Sequence, residues 1–149
     1  MLDYLRTSVW PRLPTLRIRS TNRISLDHAL ARQFARLEKG RVLDVGAKAA
    51  PYLRLVPHTE HLRLDVDETK KPDIVSDIHT LEWEAGSFDT VIAIEVLEHL
   101  HDPQQALDRI LHVLRPGGVC ILSTRFLYRY HPDPGDYYRF TWDSLEHLF

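Results

Sequence analysis

Clear hydrophobic patterning begins after residue 24, where apolar side chains recur three and four residues apart. The face that they form consists of Leu26, Leu30, Phe34 and Leu37. Ser25 precedes this face as a suitable N-cap, and Gly40 follows it as a stop. The spacing therefore predicts one amphipathic helix ahead of the first strand.

Five short apolar runs follow, and each has the length of a strand rather than of a helix. They lie in Arg41–Gly46, Leu62–Val66, PDIVSD, Thr90–Ile94 and GVCILST. The fourth run is apolar on both faces, as expected in the middle of a covered parallel sheet. Because the runs alternate with helical segments, they predict an α/β fold: a doubly wound, Rossmann-like, mainly parallel sheet with helices on both faces.

Two later segments carry signals for helix termini. In DPQQALDRILHVLRPGG, Asp102 is expected as the N-cap and Pro103 as the first helical residue. Gly117 and Gly118 are expected to end this helix. Its predicted apolar face consists of Leu107, Ile110, Leu111 and Leu114. TWDSLEHLF predicts one more helix, with Thr141 as its N-cap.

Charge is distributed unevenly along the 149 residues. Residues 1–24 carry five arginines against one acid, although the whole chain has a formal net charge of -2. We interpret residues 1–24 as a basic N-terminal segment and residues 25–149 as a single domain with one core. An organellar targeting segment and a nucleic-acid-binding arm stay open as alternatives for the basic segment. Elsewhere the chain is too acidic to indicate nucleic acid as a partner.

Cysteine content and hydropathy indicate the cellular setting. The single cysteine, Cys120, lies in an apolar run and has no second cysteine to pair with, which favours a reducing, cytoplasmic location. No apolar stretch approaches the roughly 20 residues that cross a bilayer. We therefore expect a soluble protein without a membrane partner.

Acidic residues occur at the carboxyl ends of the first four predicted strands. They are Asp44, then Asp65 with Asp67, then Asp77, and Glu95. The carboxyl ends of parallel strands meet at one edge of the sheet, where ligands bind near the switch point of the strand order. A carboxylate near the core needs a partner or solvent, so the set predicts a shared ligand rich in hydrogen-bond donors. Asp65 follows Gly46 by 19 residues, close to the spacing of a ribose-binding acid.

The loop in VLDVGAKAAPY lacks the glycines that a phosphate-binding turn requires. Lys48 and Ala50 restrict the backbone, and Pro51 has no N–H group to offer to a phosphate. A nucleoside without phosphates suits this loop better. A nicotinamide-dependent enzyme remains an alternative, but the loop disfavours it.

Several motifs together resemble class I S-adenosylmethionine-dependent methyltransferases of the methyltransferase type 11 group. These motifs are VLDVGAKAAPY, LRLDVDE, PDIVSDIHTLEW, SFDTVIAIEVLEHLHDPQQALDRILHVLRPGG and RFLYRYHPDPGDYYRFTWDSLEHL. The resemblance extends from about residue 40 to the end of the sequence. It implies S-adenosylmethionine as the cofactor and methyl transfer as the activity.

The resemblance also implies a set of cofactor-binding residues: Asp44, Gly46, Lys48, Asp65, Val66, Asp77, Ile78 and Glu95. Gly46 would let the chain pass under the methionine part, and Asp65 would bind the ribose hydroxyls. Asp77 and the Ile78 backbone N–H would meet the adenine, while Glu95, with Leu97 and His99 nearby, would border the methionine. Lys48 departs from the family, which usually has its second glycine there.

The acceptor is expected beside YRYHPDPGDYYRF, the segment after the fifth strand. As catalytic residues we expect His131 and Asp136; as substrate-binding residues we expect Tyr128, His131, Tyr138 and Arg139. Packing roles for these side chains stay open, including a pair between Arg139 and Asp136 that binds no ligand. The spacing of His, Cys and acidic residues predicts no metal site.

The family domain has seven strands, whereas this sequence accounts for five, so the last two are expected to be missing and the C-terminus incomplete. A fragment, a partner chain or second copy that completes the sheet edge, and a reduced form that has lost catalysis are the explanations. The leading functional hypothesis is methyl transfer to a small-molecule acceptor, a sugar or a secondary metabolite. The alternative is a non-catalytic module that binds a partner through its open edge.

Overall fold

The computed structural model describes residues 20–149, in which three α-helices, three short 3-10 helices and five strands occur. The helices are α1 (Thr21–Phe34), α2 (Pro103–Val113) and α3 (Trp142–Leu148). The strands are β1 (Gly40–Val45), β2 (His58–Asp65), β3 (Ile74–Val75), β4 (Phe88–Ile94) and β5 (Leu114–Ser123). Residues 33–149 form one compact unit, which contains the whole sheet. Most of the predicted basic segment over residues 1–24 lies outside the described residues.

The five strands form one parallel sheet in the order β3-β2-β1-β4-β5. The chain moves outward from β1 through β2 to β3 and then returns to the other side of β1 for β4 and β5. This arrangement confirms the predicted doubly wound α/β fold. Because the strand order reverses between β1 and β4, the carboxyl ends of these two strands border the crevice where such folds bind ligands.

The central strands and α2 supply most of the core. Leu43 of β1, Phe88 and Val91 of β4 have no exposed surface. The buried face of α2 consists of Ala106, Leu107, Ile110 and Val113. Leu111, which was expected on this face, is 60% exposed. The apolar face is therefore rotated from the predicted one, because Ala106 and Val113 pack against the sheet instead.

Two predicted N-caps are confirmed. The Asp102 carboxylate accepts a hydrogen bond from the Gln105 backbone N–H at 3.0 Å, and Pro103 opens α2. The Thr141 hydroxyl accepts one from the Ser144 backbone N–H at 3.2 Å ahead of α3. Both caps depend only on residues within one turn, which is why the sequence alone predicts them.

Other predicted boundaries are wrong. α1 begins at Thr21, so Ser25 lies inside it, and the Ser20 hydroxyl accepts from the Arg23 N–H at 3.3 Å. Gly40 opens β1 rather than ending a helix. Gly117 and Gly118 lie within β5, where an added Cβ at Gly118 would approach the Arg115 carbonyl oxygen to 2.9 Å. These boundaries depend on how the strands pair in the folded protein, and capping residues in the sequence do not reveal that pairing.

No helix among the described residues has the length and apolar character of a membrane span.

Candidate functional site

A cavity of about 240 Å³ opens at the carboxyl ends of the strands, beside the switch point between β1 and β4. Seven of the eight residues expected to bind the cofactor line it: Gly46, Lys48, Asp65, Val66, Asp77, Ile78 and Glu95. They come from four separate strand ends. The parallel sheet thus brings together side chains that are distant in the sequence.

The first loop (residues 46–50) keeps the backbone shape of a glycine-rich turn with only one glycine. Gly46, Lys48 and Ala50 have φ values of 62°, 47° and 46°, in the left-handed region. At Gly46 an added Cβ would lie 2.7 Å from a methyl group of Val96, so a side chain there would collide. Lys48 and Ala50 hold a conformation that costs a non-glycine residue about 1–2 kcal/mol.

Asp65 joins the first loop to the end of β2. Its buried carboxylate accepts hydrogen bonds from the backbone N–H groups of Lys48 and Asp67, each at 3.0 Å. A carboxylate has about four acceptor positions, so two of them remain for a ligand in the cavity. Asp67 itself caps the short turn that follows, accepting from the Thr69 N–H at 2.9 Å.

Asp77 and Ile78 form the next wall of the cavity. One Asp77 oxygen accepts from the His79 backbone N–H at 2.9 Å and faces the His79 ring Nδ1 at 2.5 Å. Burial raises the pKa of Asp77, but the two hydrogen bonds from His79 outweigh it and lower the pKa overall. The buried His79 ring lies 4.0 Å from the His101 ring, centroid to centroid. Both histidines line the cavity, although the sequence did not single them out.

Glu95 turns the chain at the end of β4. Its φ of 57° is unusual for a residue other than glycine, and its backbone N–H donates to the carbonyl and hydroxyl oxygens of Ser123 at 2.9 and 3.0 Å. The Glu95 carboxylate pairs with Arg125. Arg125 was not predicted, because only the pairing of β4 with β5 brings it to the site.

Asp44, the eighth expected residue, does not line the cavity. Its carboxylate is buried and lies 3.3 Å from the Nε2 atom of His61 on β2. Burial raises the pKa of Asp44, and the facing His61 only partly offsets this. The pair joins β1 to β2 beneath the first loop.

The loop after β5 (residues 124–141, the second loop) is organised around Asp136. The Asp136 side chain is fully buried and accepts from the backbone N–H of His131 at 2.8 Å and from the Arg139 guanidinium at 2.5 and 2.8 Å. The His131 Nδ1 atom lies 3.0 Å from the same carboxylate. Arg139, aided by His131, holds the pKa of Asp136 well below its usual range. Such a carboxylate is a weak proton acceptor, and its geometry is that of a positioning group for His131.

Aromatic side chains of the second loop contact two residues that line the cavity, His99 and His101. The His131 ring contacts the rings of Tyr128 and His99, with centroids 4.7 and 4.9 Å away. The Tyr138 hydroxyl donates to the His101 carbonyl oxygen at 3.1 Å. His99 lines the cavity, whereas four of the residues expected to act on the acceptor do not: Tyr128, His131, Tyr138 and Arg139.

An ion pair connects the two loops. The Lys48 ammonium lies 2.7 Å from an Asp133 carboxylate oxygen, and both side chains are more than half exposed. Lys48 and Asp133 line the cavity on opposite loops. Lys48, which stands where the family usually has its second glycine, therefore has Asp133 as an ionic partner.

The chemistry of the cavity fits S-adenosylmethionine. Four carboxylates, from Asp65, Asp77, Glu95 and Asp133, line it against the single lysine, Lys48. They supply acceptors for ribose hydroxyl and adenine amino groups, and a negative environment for a sulfonium.

Comparison with known proteins supports this fit. The chain is 30% identical over 130 residues to the ubiquinone biosynthesis O-methyltransferase of Xanthomonas campestris pv. campestris (strain B100), a match covering 74% of this chain and 53% of that enzyme. The chain thus spans about half the length of this relative. In the first matches the shared segment is 52% identical over 40 residues and covers 16% of the relative, as in the ubiquinone biosynthesis O-methyltransferase of Psychrobacter arcticus.

Solved structures share the fold. Phosphoethanolamine N-methyltransferase 2 of Haemonchus contortus, in complex with S-adenosyl-L-methionine, has a TM-score of 0.64 at 17% identity, covering 83% of this chain and 35% of that one. The cyclase SpnF has a TM-score of 0.68 at 22% identity, covering 89% of this chain and 57% of that one. The methyltransferase domain family matches residues 40–122, more than half of the chain. The chain therefore belongs to the methyltransferase domain family, with S-adenosylmethionine as its cofactor, as the sequence motifs predict.

Proposed function

We propose that this chain transfers a methyl group from S-adenosylmethionine to a small-molecule acceptor, a sugar or a secondary metabolite. The observation that carries the proposal is the convergence of Asp65, Asp77 and Glu95, from three strand ends, on one cavity beside Gly46. The names of the ubiquinone biosynthesis O-methyltransferases to which the chain is similar favour a hydroxyl group as the acceptor. The single cysteine favours a reducing, cytoplasmic setting.

In this proposal the strand ends hold and orient the cofactor. Asp65 accepts hydrogen bonds from the ribose, Asp77 and the Ile78 backbone contact the adenine, and Gly46 leaves room for the methionine part. The cofactor, when bound, supplies a methyl group on a sulfonium, which is already an activated leaving group. The chain therefore contributes alignment and the exclusion of water more than covalent chemistry.

A hydroxyl acceptor must lose a proton, and His131 is the side chain that we propose to receive it. Asp136 holds the Nδ1 side of the His131 ring, which leaves Nε2 as the acceptor atom. Tyr128 and Tyr138 would border the acceptor, and Arg139 would fix Asp136 rather than touch the acceptor. A thiolate nucleophile is disfavoured, since burial raises the pKa of Cys120 to about 12.

Calorimetric titration of the whole chain with S-adenosylmethionine and with its demethylated product tests the cofactor step. We expect both to bind, and Asp65→Asn to weaken binding about 10-fold or more, because the ribose would lose a charged acceptor. Asp67→Asn is the matched control, since Asp67 caps the turn after β2 and does not line the cavity, and its effect should be small. A folded chain that binds neither compound would contradict the proposal.

The second candidate is a non-catalytic, methyltransferase-like module that binds a partner chain. Among the described residues, β5 pairs with β4 on one side only, and the fold also occurs in a cyclase. A structure with 23% identity and a TM-score of 0.52 is the complex between the Haloferax volcanii Trm112 methyltransferase activator and a methyltransferase, covering 62% of this chain and 50% of that one. Light scattering of the purified chain, combined with the cofactor titration and a methylation assay, distinguishes the two candidates. A stable monomer that binds the cofactor and methylates a hydroxyl acceptor would contradict the non-catalytic candidate.

A further inference from the structure

Three side chains outside the proposed cofactor contacts converge beside the cavity. Glu98 and His99 lie in the turn after β4 (Leu97–His99), and His131 lies in the second loop. A carboxylate oxygen of Glu98 and one ring nitrogen of each histidine lie within 4.8 Å of one another. The sequence predicted no metal site, because His131 follows His99 by 32 residues and no motif joins them.

Both histidines are oriented by an oxygen acceptor. The Nδ1 atom of His99 faces the Gly135 carbonyl oxygen. The Nδ1 atom of His131 lies 3.0 Å from the Asp136 carboxylate and 3.1 Å from the Arg129 carbonyl oxygen. Because these oxygens only accept, Nδ1 carries the proton in the neutral form of each ring, and Nε2 then has a free lone pair. Histidines that bind metals show this arrangement, with the second ring N–H held by a carboxylate or a carbonyl group.

Glu98 supplies an independent observation that points to a cation site. Its side chain is fully buried; one oxygen accepts from the Thr124 hydroxyl at 2.9 Å, and the other, Oε1, has no hydrogen bond. The charged group facing Oε1 is the Arg125 guanidinium, whose Nε lies 3.9 Å away and also has no hydrogen bond. A buried carboxylate oxygen without a hydrogen bond is costly, and a coordinated cation would remove that cost.

We propose that Glu98, His99 and His131 bind a divalent first-row transition metal ion such as Zn²⁺. Two imidazoles and one carboxylate suit such ions and leave a fourth position open, whereas Mg²⁺ prefers oxygen ligands throughout. Ligand atoms in a tetrahedral zinc site are about 3.4 Å apart, as follows from metal–ligand bonds of about 2.1 Å. The three ligand atoms, which lie within 4.8 Å of one another, therefore have to approach by at most about 1.4 Å. The ion would join the second loop to the turn after β4. It would occupy Nε2 of His131, so the metal-bound form of the chain would not use that atom as the proton acceptor of the proposed methyl transfer.

A second cluster of similar composition serves as the comparison. Asp77, His79 and His101 also place one ligand atom each within 4.8 Å of the others. Here, however, both His79 nitrogens are engaged: Nδ1 with Asp77 at 2.5 Å and Nε2 as acceptor of the Asp102 N–H at 3.4 Å. The buried polar atoms without a hydrogen bond among the described residues include Glu98 Oε1 but no atom of this cluster. We therefore expect the ion at Glu98, His99 and His131.

Titration of the whole chain with Zn²⁺ by calorimetry, and with Co²⁺ by visible absorption, tests the proposal. We expect one saturable ion per chain, and a Co²⁺ spectrum of a four- or five-coordinate site with nitrogen ligands. His131→Asn and Glu98→Gln should each weaken Zn²⁺ binding about 10-fold or more. His101→Ala, the matched control from the second cluster, should leave it unchanged. Circular dichroism confirms that each variant is folded.

Two outcomes would overturn the proposal. One is a wild-type chain without saturable Zn²⁺ binding. The other is binding that survives His131→Asn but is lost in His101→Ala, which would place the ion in the second cluster. His131 is partly exposed, so His131→Asn decides the matter even where Glu98→Gln does not fold. Neither readout depends on S-adenosylmethionine, so failure of metal binding is distinguishable from failure of the proposed methyl transfer.

Discussion

The two loops that line the cavity are built in opposite ways. In the first loop, backbone conformation and backbone N–H groups create the shape, and the candidate ligand-binding groups point into the cavity. In the second loop, side chains bind one another, and the oxygens of Asp136 are fully used by His131 and Arg139. The first loop is therefore suited to hold a ligand. The second is suited to hold one histidine in a fixed orientation.

The largest effect is expected from a substitution that changes the backbone shape of the first loop but none of its charges. Gly46→Ala places a methyl group 2.7 Å from Val96 at a φ of 62°, so the loop must shift. We expect cofactor affinity measured by calorimetry to fall about 100-fold, or about 2.8 kcal/mol. Gly117→Ala is the matched control, because its φ is 77° but the nearest atom lies 3.9 Å away. Equal affinity losses in the two variants would show that the site does not depend on the close contact.

The second effect tests whether the second loop serves the acceptor rather than the cofactor. Asp136→Asn removes the charge that orients His131. We expect kcat for methyl transfer to fall about 10- to 100-fold, with cofactor affinity almost unchanged. Steady-state kinetics and calorimetry on the same sample measure both. A loss of cofactor affinity as large as the loss of kcat would contradict the division between the loops.

The third effect uses pH, because Asp136 and Asp44 have pKa shifts of opposite sign. The pKa of Asp136 is lowered by folding, so its stabilisation is present above the unfolded value of about 3.9 and is lost as pH falls below it. The pKa of Asp44 is raised, so its stabilisation is present at low pH and is lost as pH rises through the folded value.

Urea unfolding of the variants at about pH 6 and about pH 3 measures these opposite contributions. We expect Asp136→Asn to lose less stability on acidification than the wild type, and Asp44→Asn to lose more. Identical losses in both variants would contradict the assigned signs.

The smallest expected effect concerns strain at Lys48. Lys48→Gly relieves a left-handed conformation, which contributes about 1–2 kcal/mol, but adds chain entropy to the unfolded state. It also removes the exposed pair with Asp133, which contributes less than about 1 kcal/mol. We expect a gain of up to about 1 kcal/mol in unfolding free energy, and a loss in Lys48→Ala, which removes the pair but keeps the strain. A less stable Lys48→Gly variant would show that the ion pair and the added chain entropy together outweigh the strain.

The sequence allowed prediction of those features that depend on neighbouring residues or on the order of strands in a parallel sheet. The caps at Asp102 and Thr141 were predictable because each acts within one helical turn, and the carboxylates at the strand ends because parallel strands end at one edge. The predictions at Ser25 and Gly117 were wrong. Each residue type is typical of a helix boundary, but Ser25 lies inside α1 and Gly117 lies within β5. Arg125 and the Glu98–His99–His131 group were not predictable, because pairing of β4 with β5 and folding of the second loop bring them together.

The left-handed residues of the first loop have a consequence for how such loops are recognised. Two of these residues are held from outside the loop: the Lys48 N–H donates to the Asp65 carboxylate, and the Gly46 N–H donates to the Leu64 carbonyl oxygen at 2.8 Å. The residues that stabilise this turn therefore lie at the end of the neighbouring strand, β2. In this chain a glycine count would miss the turn, whereas the acid at the end of the second strand, Asp65, marks it.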